Sequence, residues 1–272
     1  MELALLLIGG VGAGLFGSLL GLGGGVLIVP LLTLGFGLPI REAVGVSLVC
    51  VIVTSGASAS VFLRRRVANL RLGMVLELAT AAGALLGGLI AFLLDERMLA
   101  FLFAILLGYV ALTMLRAGRT PAGSAAGGTP AGAAAKRAGV SRLSGPGYRV
   151  RRIWFGAVSG LGAGVVSALL GIGGGVVMVP AMHVAMHVPL RVATATSNLM
   201  IGVTATASAI IYLLRGGIDA YVAGPTAIGV FVGAAAGSRL AGRIDLRFLR
   251  LLFVVVQLYV AIQMILRALG TA

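Results

Sequence analysis

Leu19 to Pro30 reads LLGLGGGVLIVP, and 150 positions later Leu169 to Pro180 reads LLGIGGGVVMVP. Each stretch puts four glycines into five residues ahead of an apolar run that ends in proline. Glycine has no helical preference to hold it and proline removes a backbone N–H, so both stretches predict a helix that breaks, restarts and stops short. Working outward, the same 150-residue offset aligns Gly12-Ala13-Gly14 with Gly162-Ala163-Gly164, Pro39 and Arg41 with Pro189 and Arg191, and Ser47 with Ser197. It continues without a gap through Thr54 and Thr204, Gly83 and Gly233, Asp95 and Asp245, and Tyr109 and Tyr259. From Gly12 to Arg66 roughly four positions in ten match their partners, more than shared apolar composition gives. The chain is a tandem duplication of one unit.

The solvent of that unit is lipid. Of 272 residues, 60% are hydrophobic and 10% charged, and the mean hydropathy is +1.13, which leaves too little polar surface to cover a core in water. A formal charge of +14 in a soluble protein would suggest a nucleic-acid partner. Here the arginines gather in loops, as the positive-inside rule requires, and no nucleic acid is expected. A single cysteine, Cys50, excludes an intrachain disulfide and a multi-thiolate metal site.

Apolar runs recur at the length that crosses a bilayer. The first copy holds Leu3 to Leu20, a short run from Val26 to Phe36, Ala43 to Leu63, Leu72 to Leu94 and Met98 to Leu115. The second repeats the set from Ile153 to Leu266. Between them, Arg116 to Arg152 carries PAGSAAGGTPAGAAA, a low-complexity stretch with nothing to bury. The expected organisation is therefore a first transmembrane repeat over 1–116, a flexible cytoplasmic linker over 117–152 and a second repeat over 153–272.

Loop charge sets the relative orientation of the copies. The loop holding Arg64, Arg65, Arg66 and Arg71 keeps only Arg215 and Asp219 in the second copy, while Asp95-Glu96-Arg97 becomes Arg239, Arg243, Asp245, Arg247 and Arg250. Equivalent loops thus swap sides of the membrane. Val26 to Phe36 is about 16 Å as a helix, too short to cross alone. The fold predicted is an all-α polytopic membrane protein of two inverted-topology repeats, about five helices each, with Gly-broken short or re-entrant helices. The linker lies in the cytoplasm and both termini outside.

Inverted repeats with matched Gly/Pro-interrupted segments point to a midplane binding site in secondary transporters. Gly21, Gly23, Gly24 and Gly25, with Gly171, Gly173, Gly174 and Gly175, would present backbone N–H groups and a helix start to a small anion. Ser47, Ser197 and Asn198, near the starts of the following helices, would add neutral hydrogen-bonding groups. Thr54 and Thr204 instead suit bonds to the carbonyl one turn back in their own helix or across to a neighbouring helix. Glu77 lies about one turn into its run, within reach of the interface or Arg71, and is a proton-coupling candidate. His183 and His187 have Thr33 and Gly37 as partners and no acid or thiol nearby in sequence, which suits a polar helix end better than a metal site. No cofactor is implied. A channel-like facilitator and a membrane-embedded enzyme using Cys50, His183 and His187 are the rival readings. The second lacks a nucleophile, base and orienter in equivalent places.

With GLGGGVLIVPLL and GIGGGVVMVPAM, the following Pro39-Ile40-Arg41-Glu42-Ala43 and Pro189-Leu190-Arg191-Val192-Ala193, and Ser47 and Ser197, the chain resembles the TauE/SafE family, also called the toluene-sulfonate uptake permeases. The resemblance covers nearly everything but the linker. It implies a cytoplasmic-membrane transporter of small sulfur-containing anions such as sulfite, thiosulfate or organosulfonates, working by alternating access around the two Gly-rich loops. Export would run with an inside-negative potential, whereas uptake would need coupling to a proton or another ion.

Overall fold

A computed structural model describes residues 2–20, 24–64, 68–117, 150, 152–240 and 246–269. Gly21, Gly23, Arg65, Arg66, Arg243 and nearly all of the expected linker lie outside them. Among the described residues the chain is helical, without strands. The first copy contains α1 (Glu2–Leu20), α2 (Gly25–Pro30), α3 (Ile40–Arg64), α4 (Leu70–Leu93) and α5 (Glu96–Ala117). The second contains α6 (Ile153–Leu170), α7 (Gly175–Pro180), α8 (Leu190–Leu214), α9 (Ala220–Leu240) and α10 (Leu246–Ala268). Subtracting 150 carries α7 onto α2 and α8 onto α3 residue for residue, so the sequence repeat is a structural repeat. Seven helices are long and apolar enough to cross a membrane. Large apolar side chains such as Leu78, Leu214, Ile228 and Ile262 face outward, while Ser47, Ser167, Ser197, Thr204 and Gln257 are buried. That polarity suits a hydrocarbon surround.

The short helices end as their composition dictates. Gly24 and Gly174 precede α2 and α7 with φ of 79° and 71°, left-handed values that a residue with a Cβ resists. Pro30 and Pro180 close the α-helical part, and each is followed by a wider π turn, Leu31–Gly35 and Ala181–Ala185. Proline leaves the carbonyl one turn back without its usual donor, and a π turn is one way the backbone absorbs that loss. Helix and turn together run Gly25–Gly35 and Gly175–Ala185, 16 Å or so, about half the hydrocarbon thickness. His187 takes a left-handed φ of 56° where its counterpart is Gly37 at 68°. His183 sits 3.0 Å from the carbonyl of Val188 through Nδ1. Both histidines thus serve the turn after α7.

Helix pairing follows the duplication. In α1 and α9, Gly229 meets Leu7, Gly233 meets Val11 and Gly237 meets Leu15, so the two helices run parallel with their backbones in near contact. The equivalent pair, α6 and α4, repeats this with Gly83 on Leu161 and Gly87 on Val165. α3 and α8 cross at the centre in opposite directions. Gly45 lies against Gly217, Val51 and Ile201 meet around Gly173, and Ser55 Oγ donates to the Asn198 carbonyl at 2.6 Å. Beyond the end of α3, Asn69 N donates to Thr196 Oγ1 at 2.9 Å. The start of α5 meets the end of α10 around a recess of about 120 Å³ lined by Arg97, Ala100, Met264 and Arg267. Two pairs of equivalent helices, α3 with α8 and α5 with α10, therefore pack antiparallel.

Candidate functional site

The Gly-rich turn before α7 faces a small cavity closed by α4 and α8. Gly173, Gly174, Gly175 and Met178 form one wall, Ser197, Met200, Ile201 and Thr204 of α8 a second, and Thr80 of α4 the third. Its volume of about 10 Å³ is room for a single water. An oxyanion of sulfur needs several times that space. The turn is fixed by contact as well as by φ. A Cβ added at Gly175 would lie 2.5 Å from Ile201 Cδ1 and 3.3 Å from Ser197 Oγ. The first N–H groups of α7 have no acceptor within that helix, as at any helix start.

Unpartnered oxygens collect here. Ser197, 1% exposed, and Ser167, fully buried, have hydroxyls with no hydrogen-bond partner, as does Oε2 of Glu77. Ser167 stands directly behind Gly174, where an added Cβ would come within 3.5 Å of the serine Cβ. Thr204 Oγ1, in the cavity wall, donates to Glu77 Oε1 at 2.9 Å. The remaining unpartnered buried side-chain atoms among the described residues, Arg41 Nε and Gln257 Oε1, belong elsewhere. Buried polar atoms are ordinarily paired, so three orphans around one turn single it out.

The turn before α2 is occupied differently. Ser47 Oγ donates to the Gly171 carbonyl at 2.7 Å, with the Gly25 carbonyl at 3.3 Å. This one hydroxyl ties the end of α6 to the start of α2. A Cβ at Gly25 would come 2.6 Å from the same Gly171 carbonyl, which shows how tightly the two turns nest. Thr54 bonds its own helix, at 3.1 Å to the carbonyls of Cys50 and Val51.

Of the residues expected from sequence, Gly173, Gly174, Gly175 and Ser197 meet at the cavity. Gly25, Ser47 and Gly171 meet in the brace, whereas Gly24 faces Ala13, Ile28 and Val230 instead. Asn198 stands apart, its amide donating to the Thr194 carbonyl of its own helix at 2.9 Å. Of the two bonds expected for Thr204, the structure shows the one across helices, from Oγ1 to Glu77 of α4. One expectation is corrected: Glu77 turns away from the interface and Arg71 to meet it, because Gly73 lets α4 approach Thr196 and Met200 of α8. Thr80 and Ser167 were not anticipated. Their counterparts are Val230 and Gly17, and that of Glu77 is Ala227. A position polar in one copy and apolar in the other is the signal that finds them. Arg41 anchors α3 by donating from Nη2 to the Leu94 carbonyl at 2.8 Å and stacks 5.3 Å above the Phe92 ring centre.

The chain matches the sulfite exporter TauE/SafE family over residues 6–264. It is 25% identical over 278 residues to the probable membrane transporter protein YunE of Bacillus subtilis, covering 97% of this chain and 98% of that one. It is 28% identical over 227 residues to a probable membrane transporter protein of Xylella fastidiosa, covering 83% and 80%. To one of Methanocaldococcus jannaschii it is 30% identical over 219 residues, covering 78% and 72%. No solved structure matches.

Proposed function

The chain belongs to the sulfite exporter TauE/SafE family of membrane transporters, and we propose that within it the protein is a secondary carrier of small sulfur-containing anions. Sulfite, thiosulfate and organosulfonates are its substrate class, and the turn Gly173 to Gly175 with Ser197 is their site. One observation carries this reading: a small recess at a helix-starting glycine turn, lined by a buried serine hydroxyl with no partner. Backbone N–H groups and neutral hydroxyls can coordinate an anion without a fixed cation in the membrane. The cavity sits against the crossing of α3 and α8, where the two copies meet. Antiparallel packing of equivalent helices supports an inverted repeat, in which exchange of conformation between copies exposes one central site to each side in turn. A recess with room for a single water supports a carrier over an open channel. The basic loops support a cell-membrane orientation with the linker in the cytoplasm and both termini outside.

The test is flux into proteoliposomes of the purified chain, scored across sulfite, thiosulfate, sulfate and alkanesulfonates. The reading expects saturable counterflow of at least one member, competed by its chemical relatives. Absence of flux for every member, with the protein folded, contradicts it.

A further inference from the structure

Glu77 is the one acidic residue within α3, α4, α6 or α8 beyond their first turns, and it stands one hydrogen bond from the cavity. Thr204 Oγ1 lines that cavity and donates to Oε1, whereas Oε2 is enclosed without a partner. Thr80, also lining the cavity, bonds the Glu77 backbone carbonyl at 3.0 Å through its hydroxyl. Among the described residues, the helices packed on α4 bring no countercharge to this carboxyl. α6 has no titratable residue between Ile153 and Leu170, and those of α8 lie at its ends, Arg191 in the first turn and Tyr212 in the last, bonded to the Ala168 carbonyl. On α4 itself, Arg71 is exposed. Arg152, before α6, is likewise exposed, and His183 is turned to Val188.

A carboxylate without a cation, one hydroxyl away from an anion, repels the occupant that the cavity is shaped to admit. A proton on Oε2 removes that charge and gives the enclosed oxygen a hydrogen to donate, while Oε1 keeps its bond from Thr204. We propose that Glu77 takes up one proton with each anion, making the carrier an anion–proton symporter. The proton is taken from the aqueous face to which the site opens and is released with the anion at the other, leaving Glu77 as it began. The proposal rests on the anion reading above and adds the coupling ion to it. Because Ala227 occupies the equivalent place in α9, the coupling belongs to the second copy's turn alone.

Calorimetric binding of methanesulfonate to the detergent-solubilised wild type, run at one pH in two buffers of different ionisation heat, counts the protons taken up. This probe has no titration of its own near neutrality; thiosulfate is the second probe. The expected result is one proton per anion for wild type and none for Glu77→Gln, which mimics the neutral acid. Wild-type binding without proton uptake overturns this inference and leaves the anion reading standing. No binding of any sulfonate, sulfite or thiosulfate overturns both. A folded Glu77→Gln that takes up a proton as wild type does, or that has lost binding, also overturns it. Should that variant fail to fold, Thr204→Val, which removes the bond to Oε1, is expected to displace the pH profile of binding, and an unmoved profile counts against Glu77.

Discussion

The glycine turns before α2 and α7 share a sequence pattern, a left-handed glycine and a following serine at the same offset, yet the serines do opposite things. Ser47 is bonded across to the Gly171 carbonyl, and its hydroxyl is part of the frame. Ser197 is equally buried and bonds to nothing, facing the recess beside the second copy's turn. The flanking helix sharpens the contrast. Against the second turn α4 brings Thr80 and Glu77, while the equivalent positions of α9 are Val230 and Ala227. Duplication made two turns of one backbone design, and divergence left the first with a bonded serine and the second with an unpartnered one. A backbone motif alone therefore does not identify function; what the neighbouring helix sets opposite it does.

The largest effect that tests this difference is expected at the turns themselves. Gly174→Val puts a β-branched residue at positive φ, with its Cβ 3.1 Å from the Ala163 carbonyl, whereas Gly24→Val meets nothing closer than 3.8 Å. Displacing the second turn should cut anion flux in proteoliposomes by about 100-fold or more, since small misplacements at a site cost that much. Gly24→Val should lose less, and the reverse order would make the first turn the site. Next in size are the serines. Ser47→Ala leaves the buried Gly171 carbonyl without its donor and should lower stability by about 1–3 kcal/mol, read as a lower thermal midpoint. Ser197→Ala breaks no bond and should leave the midpoint in place; equal losses would erase the distinction. Smallest are the threonines. Thr204→Val strips the Glu77 carboxyl of the donor on Oε1 and should destabilise measurably, while Thr54→Val removes a bond within its own helix and should stay within ~0.5 kcal/mol. Equal midpoints for the two variants would show that the reach of Thr204 to α4 carries no weight.

Much of the fold was legible because it is local or repeated. The 150-residue offset and the Gly and Pro signals predicted both short helices, and α2 and α7 begin and end where Gly25, Pro30, Gly175 and Pro180 put them. The π turns were not legible, since proline announces a break without saying how the chain absorbs it. The chain's 43 glycines do more than break helices. The turns before α2 and α7 account for some, but Gly83, Gly87 and Gly164, with Gly229, Gly233 and Gly237, let α4 meet α6 and α9 meet α1 backbone to backbone. Which helix a small residue faces is a tertiary fact. The same limit hid the site's asymmetry. Ser47 and Ser197 have equal local sequence signals, and only the Gly171 carbonyl, 124 residues away in the chain from Ser47, separates them. The partnership of Glu77 with Thr204, 127 residues apart, could not be read from either helix alone.

The central claim is that the anion sits at the second turn, and affinity measured on the two serine variants addresses it most directly. Calorimetric titration of wild type, Ser47→Ala and Ser197→Ala with whichever sulfur anion binds wild type most tightly compares equivalent hydroxyls in one protein. The account predicts that Ser197→Ala weakens binding about tenfold or more, the worth of one hydrogen bond to a charged group, while folded Ser47→Ala binds nearly as wild type does. Loss of affinity in Ser47→Ala with Ser197→Ala unchanged would contradict it.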